Sequence, residues 1–362
     1  MNVTTHERPG VYSVYGASSL VRGSGGRKTV GLAAVNTKAE AGVIQTITSY
    51  EEAVSTFGSQ ADSQDMAELI RVILLNGAAA VAVVPVANAE GYEAAFAAMS
   101  GMEDLSVVVC DSTDQEVQQK LRDSVTAASA ARRERIAVVA GGAEESVTAL
   151  TDRAKALNSE RVVLAAPGGV SEKGTALSGL TAAAAVAGAI AGQGDPAVPL
   201  GGAELLGLNG LSTQYGDNDI DLLVRGGVTP LDSRAGTVSV VRGITTRTRS
   251  GESEDATWRE LSTVLIVDDV IPAIRESLRA RFRRAKNTEQ SRGAIRSQVV
   301  LELENKKARE IITGYDGVTV TALPENPTVC LVEFAFTVAH GLNQIWLTAS
   351  ITICLLYTSD AA

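Results

Sequence analysis

Apolar and polar positions alternate with two periods along the first part of the chain. Short runs rich in Val and Ala, at 29–35, 44–47, 80–86, 105–110, 135–139 and 161–165, read as buried strands. Between them, 50–57, 65–75, 91–99, 115–131 and 144–157 carry helical spacing, and 115–131 puts Val117, Leu121 and Val125 on one face. Apolar, β-branched strands interleaved with helices predict an α/β fold, a largely parallel sheet with helices on both faces. The most apolar window, 180–191, is dominated by Ala and Gly and is too short to span a bilayer, so it predicts a buried, close-packed helix.

Near Gly192 the pattern gives way to turn chemistry, with Gln193-Gly194-Asp195-Pro196 and Pro199-Leu200-Gly201-Gly202. A second, α+β unit follows. Leu222-Leu223-Val224 and 237–241 read as strands, 245–257 as a polar loop, and 261–284 and 289–313 as long helices. Pro272 is expected to kink or restart the first helix, and Gly314-Tyr315-Asp316-Gly317 to close the second. Strands at 318–323 and 331–353 finish the pattern. Phe334, Phe336 and Val338 alternate with smaller residues, and after the turn-like His340-Gly341-Leu342-Asn343 a second alternation runs through Ile345, Leu347, Ala349, Ile351 and Ile353, with Trp346 between.

The start of the chain has a smaller version, Pro9-Gly10-Val11-Tyr12-Ser13-Val14. Unpaired strand edges pair readily with other chains, so strand-prone segments at both ends predict assembly by strand addition. From periodicity alone, pairing of the two ends within the chain's own domain is the better reading. The expected divisions are an N-terminal arm and hinge (1–26), an α/β core (27–221), a C-terminal α+β domain (222–330) and C-terminal strands forming an arm (331–353). Residues 354–362 break the alternation, resemble translated sequencing-adapter read-through and are expected to lie outside the fold as a non-native tail.

Hydrophobic residues make up 45% of the 362 positions but aromatics only 4%, so the core must be built from Ala, Val, Leu and Ile. The net charge of -10 opposes binding to nucleic acid or an anionic membrane, and neither partner is expected. Cys110, Cys330 and Cys354 lie far apart with no CxxC spacing, which predicts structural thiols in a reducing compartment. Residues 1–7 lack a secretion signal, so synthesis in the cytoplasm is expected.

Candidate chemistry is sparse. In Arg22-Gly23-Ser24-Gly25-Gly26-Arg27-Lys28-Thr29, Arg27 stands where a P-loop needs Gly, and the segment precedes a strand; a hinge is the better reading. Gly141-Gly142 and Gly168-Gly169 follow strands at corners where ligands often bind, without completing GxGxxG. His6 and His340 both lie outside the α/β core, which disfavours histidine-based nucleophilic catalysis. Asp217, Asp219, Asp221 and the pair Asp268-Asp269 match no EF-hand loop. No catalytic, cofactor-binding or metal-ligating residue is predicted. Arg275, Arg279 and Arg283 repeat every four residues in a cluster with Arg281, Arg284 and Lys286; a solvated helix face partly paired with Glu276 is the default reading, and a cationic stripe suited to an acidic partner the functional alternative.

Arg8-Pro9-Gly10-Val11-Tyr12, Val240-Val241-Arg242-Gly243-Ile244-Thr245-Thr246, the helix that opens Asp268-Asp269-Val270-Ile271-Pro272, and the terminal run from Val332 to Ile351, in this order, resemble the tail sheath proteins of contractile phage tails and contractile injection systems. The resemblance spans about 7–353. It implies a non-enzymatic virion tail subunit that forms hexameric rings stacked helically around a tail tube and contracts to drive the tube through a target envelope. It also implies contacts with tail tube, baseplate and tail terminator proteins, no cofactor, and arms that add strands to neighbouring copies. Pro9, Gly10, Val11, Tyr12 and Val14 would form the N-terminal inter-subunit arm, and Ile345, Trp346, Leu347, Ala349 and Ile351 the C-terminal one. Arg275, Arg279 and Arg283 would face the tube. The rival from another class is a nucleotide- or small-molecule-dependent α/β enzyme with its pocket at the Gly141 and Gly168 corners.

Overall fold

The computed structural model describes residues 28–59, 64–170, 174, 176–251, 253–255 and 257–343. One nine-stranded sheet organises the larger part. Its strands are β1 (Thr29–Val35), β2 (Gln45–Ile47), β3 (Ala80–Val86), β4 (Leu105–Cys110), β5 (Ile136–Ala140), β6 (Val162–Ala166), β7 (Glu204–Leu205), β8 (Thr229–Arg234) and β9 (Thr237–Val240). They lie in the order β2-β3-β1-β4-β5-β6-β8-β9-β7. From β3 to β8 every neighbour is parallel, while β2, β9 and β7 pair antiparallel towards the two edges.

Helices α1 (Tyr50–Phe57), α2 (Met66–Leu75) and α6 (Leu180–Gly192) cover one face. Helices α3 (Tyr92–Ser100), α4 (Gln115–Ala130), α5 (Val147–Leu157) and α7 (Asp217–Arg225) cover the other. Because side chains alternate across a strand, each central strand feeds both layers. Val81 and Val83 pack under α2 and α6, whereas Ala82 and Val84 pack under α3 and α4. Local chemistry starts the helices: Ser49 accepts from the Glu52 amide, Asp65 from Glu68, Asp114 from Glu116 and Ser146 from Ala149. The Ala-rich α6 is buried and packs directly on α2. A Cβ on Gly188 would come within 2.4 Å of the Ile73 carbonyl oxygen, so only glycine permits the approach.

Between the two parts, β10 (Arg249–Ser250) and β11 (Ser253–Glu254) form a short antiparallel pair. A smaller unit follows: α8 (Leu261–Phe282), α9 (Glu289–Ala308) and an antiparallel ribbon of β12 (Ile312–Leu323) and β13 (Asn326–Val338). Its core joins Ile266, Val270 and Ile274 of α8 to Val299, Leu303, Ile311 and Ile312. The first turns of α8 belong elsewhere, since Leu261, Val264 and Leu265 pack into the body's core. One helix thus enters both cores.

Four sequence expectations change. Leu222–Val224 is the end of α7, not a strand: three apolar residues cannot fix a period, and Asp217 and Asp219 in the first turn with Arg225 in the last suit a helix dipole. The strand at 229–234 was not anticipated, because Pro230 and Asp232 interrupt its pattern; with it the sheet runs on past residue 221 to Val240. Gly314–Gly317 ends no helix. It lies inside β12, where the register shifts on either side and Gly317 has φ 63°. Finally, Pro272 does not restart α8, which continues through it to Phe282. The segments 1–26 and 345–353, with residues 9–14 and 345–351 of the expected arms, lie outside the described residues, while 331–338 of the expected C-terminal arm belongs to β13.

Candidate assembly surfaces

The β12–β13 ribbon is the most open backbone in the structure. Its inward side chains Val332, Phe334, Phe336 and Val338 pack on the small core, while Leu331, Glu333, Ala335 and Thr337 face solvent. The two strands pair from Ile312 with Val338 to Leu323 with Asn326, and among the described residues no third strand joins them. Among the described residues both outer edges therefore lack a strand neighbour, although Arg296 Nε donates to the Val318 carbonyl and Asn287 Nδ2 to the Val329 carbonyl. A ribbon of this kind is marginal alone and gains from a further strand.

Ion pairs tie α8 to the body. Arg161 Nη1 donates to Asp268 Oδ2 at 2.5 Å, with both side chains largely buried. Arg275 forks onto Glu134, Nη2 to Oε1 at 2.6 Å and Nη1 to Oε2 at 3.3 Å, and also reaches the Arg132 carbonyl. Lys306 Nζ meets Asp269 at 2.5 Å and fastens α9 to α8. Burial pushes the Asp268 carboxyl above its ordinary value despite Arg161. For Glu134 burial also acts upward, but the bonds from Arg275 outweigh it and hold the group below its ordinary value. Asp268 Oδ1 is buried without a hydrogen-bond partner among the described residues, and Asp268 lines a cleft of about 310 Å³, wide enough for water.

The expected stripe on α8 is thereby divided. Arg275 is committed to Glu134 within the chain, so it does not stand free beside the other two. Arg279 and Arg283 are exposed, as are Arg284 and Lys286, and none has a carboxylate partner among the described residues. Arg281 turns back to Gln298 of α9. The seam pairs themselves were missed by sequence reasoning, because Arg161 and Asp268 stand 107 residues apart and nothing local links them.

The Gly141 and Gly168 corners are filled by the chain itself. Glu145 pairs with Arg153 over Gly141, and a Cβ on Gly168 would sit 2.1 Å from the Leu177 carbonyl oxygen. About 10 Å³ is left between Gly141, Leu150, Pro167 and Tyr215, too little for a nucleotide. The Tyr215 hydroxyl beside it is pushed up to about 12 by burial. Asp217, Asp219 and Asp221 lie on α7, and among the described residues no group of three or more His, Cys, Asp or Glu is placed to hold a metal. Cys110 is buried, which raises its thiol to about 12, and Cys330 is half-buried on β13; both are unpaired thiols. No described helix is long and apolar enough to cross a membrane.

Solved structures share this fold of an α/β body and a small C-terminal unit. The chain from the cryo-EM structure of the anti-feeding prophage baseplate superposes with TM-score 0.75 at 15% identity, covering 96% of this chain and 100% of that one. The crystal structure of a sheath tail protein from Desulfitobacterium hafniense gives TM-score 0.68 at 13% identity, over 91% and 100%. In sequence, the tail sheath protein of Bacillus phage SP01 is 28% identical over 249 residues, 67% of this chain; the chain spans 42% of that protein's length. The family models for the phage tail sheath protein central domain and the phage tail sheath C-terminal domain match residues 86–246 and 253–352. The chain belongs to the phage tail sheath family.

Proposed function

We propose that this chain is the repeating structural subunit of a contractile tail sheath, in which the terminal arms of neighbouring copies complete the β12–β13 ribbon. The open ribbon carries this reading: a described structure with two free edges, in a chain whose two ends are written as strands. Residues 9–14 supply one strand and 345–351 the other. Each lent strand contributes a few net hydrogen bonds of about 1 kcal/mol apiece. Burial of Ile345, Trp346 and Leu347 adds about 25 cal/mol per Å² of apolar area. Such links hold while the other contacts between copies exchange.

The subunit moves as one piece in this reading, because α8 enters both cores and Arg161–Asp268 and Arg275–Glu134 clamp it to the body. Hexameric rings of such subunits stack helically around a tail tube, between baseplate and terminator proteins, and contraction drives the tube through a target envelope. The cationic end of α8, now Arg279 and Arg283 with Arg284 and Lys286 rather than Arg275, faces an acidic tube surface. The filled corners leave the enzyme reading without a pocket to support it.

Electron microscopy of the purified chain tests the proposal. The full chain is expected to form sleeves or stacked rings, and chains lacking 1–20 or everything past 343 to stay dispersed while still folded. Sleeves from both trimmed chains would overturn the strand-lending reading. Reversing Arg279 and Arg283 should weaken co-assembly with the tube and its salt sensitivity; unchanged behaviour would remove them from the tube contact.

A further inference from the structure

At the ends of β4 and β5 a covering helix follows, and exposed acids lie there, Glu116 on α4 and Glu144 just before α5, with Asp217 in the first turn of α7. The opposite end, where the strands start, carries acids such as Glu103 and Asp104 before β4 and also a group of arginines. There Arg225 closes α7, and the segment carrying Arg249 is fastened to the end of α5 by Asn158, whose side chain meets the Arg249 backbone. Arg259 stands just before α8, its carbonyl accepting from the Thr245 amide.

Arg225, Arg249 and Arg259 line a single pocket of about 450 Å³ with Thr248, Glu254 and Asp255. None of the three guanidinium groups has a carboxylate partner among the described residues. Asp255 is already taken by Arg247, at 3.1 Å, and by the backbone amides of Thr257 and Trp258. A cation in the last turn of α7 suits that helix's dipole, which explains one arginine but not a pocket of three. In a chain of net charge -10, the pocket gathers three arginines against two acids: Glu254, which stands opposite Arg249 in the β10–β11 pair, and Asp255, which Arg247 already holds. Nucleic acid is excluded as occupant by the charge of the rest of the surface.

We propose that this pocket receives the acidic rim of a second copy of the chain, the exposed carboxylates around Glu144 and the first turns of α7, so that the bodies associate head to tail. Such a contact uses two different patches of one molecule and therefore propagates into rings or helical stacks instead of closing a dimer. Planar guanidinium forks suit carboxylates bidentately, and the long-range attraction is weakened by salt. The inference rests on self-assembly of the chain, but the contact is independent of the arms.

Charge exchange in the full-length protein tests it, read by sedimentation velocity across a NaCl series. A chain with R225E, R249E and R259E should need about tenfold more protein to polymerise at low salt, and so should one with E144K, D217K and D221K. An equimolar mixture of the two should polymerise, as each pocket then meets a rim of opposite sign; a single chain carrying all six reversals should do so as well. Unchanged melting temperatures establish that the variants fold, and the neutral R225Q, R249Q, R259Q chain should fall between. Wild-type polymerisation by each reversed chain, or failure of the mixture to rescue folded variants, overturns the proposal. So does a reversal that abolishes inorganic phosphate binding yet leaves polymerisation intact, which would make the pocket a small-anion site. The strand-lending reading fails by a different result, polymers from the trimmed chains.

Discussion

The body and the C-terminal ribbon handle strand edges in opposite ways. In the body, the long strands β1, β3, β4, β5 and β6 are interior, covered on both faces, and the sheet ends in strands of only three and two residues, β2 and β7. Short edge strands give another chain little to pair with. In the ribbon, strands of 12 and 13 residues pair with each other and, among the described residues, have no further strand beyond either outer edge, with one face in water. The difference separates a sheet with short, nearly closed edges from a ribbon that, in the proposed reading, other polypeptide completes.

The sharpest way to test that contrast is to damage each region in turn. Leu32→Ala, in the fully buried centre of β1, should cost about 2–5 kcal/mol in urea unfolding of the free chain. Phe336→Ala, half-buried on the ribbon, should cost about half as much there. An equal or larger ribbon penalty would mean that the ribbon is no less finished than the body.

The seam between the regions comes next. Asp268→Ala strands the buried Arg161 guanidinium and should cost about 3 kcal/mol, measured in the same way. Glu134→Gln should cost about 1 kcal/mol at neutral pH, because Arg275 is partly exposed. Its pH dependence has a definite sign. Glu134 is held below its ordinary value in the fold, so its contribution is present above the ordinary carboxylate range and is lost as pH falls through the folded value. Asp268 acts the other way: raised by burial, it destabilises the fold above its folded value and ceases to do so when protonated. The stability gap between wild type and Glu134→Gln should therefore close on acidification, and a constant gap would contradict the pairing.

How legible the molecule was in its sequence follows the same division. The strands β1, β3, β4, β5 and β6 are apolar runs that can only be interior strands, and Asp65, Asp114 and the acids near them announce the helices they cap. Where two signals compete, the sequence is silent or misleading. Gly314 and Gly317 look like helix terminators, yet they make the bulge that bends β12. Pro230 hides β8, although its carbonyl still accepts from the Val241 amide. Arg275 looks like part of a free cationic stripe because Glu134, its partner, lies 141 residues away. Long-range pairing of charges leaves no periodic mark. The sequence marks strands at 318–323 and from 331 on, within both arms of the ribbon, but their pairing with each other and the start of β12 at Ile312 emerge only with the fold.

The smallest expected effect belongs to the ribbon's solvent face. Leu331→Thr should leave the unfolding free energy of the free chain within about 0.5 kcal/mol, since the side chain is largely outside. A loss of several times that in the dispersed, arm-trimmed protein would show the outer face to be covered by the chain itself.

Amide hydrogen exchange of the ribbon tests the central claim most directly, comparing assembled full-length protein with the chain trimmed at both ends. In the trimmed chain, the outward amides of 312–323 and 326–338 should exchange rapidly while those bonded across the β12–β13 pair are slower. On assembly the outward amides should become protected as well, with the body's β4 and β5 unchanged. Identical exchange of the ribbon in the two states would contradict the account.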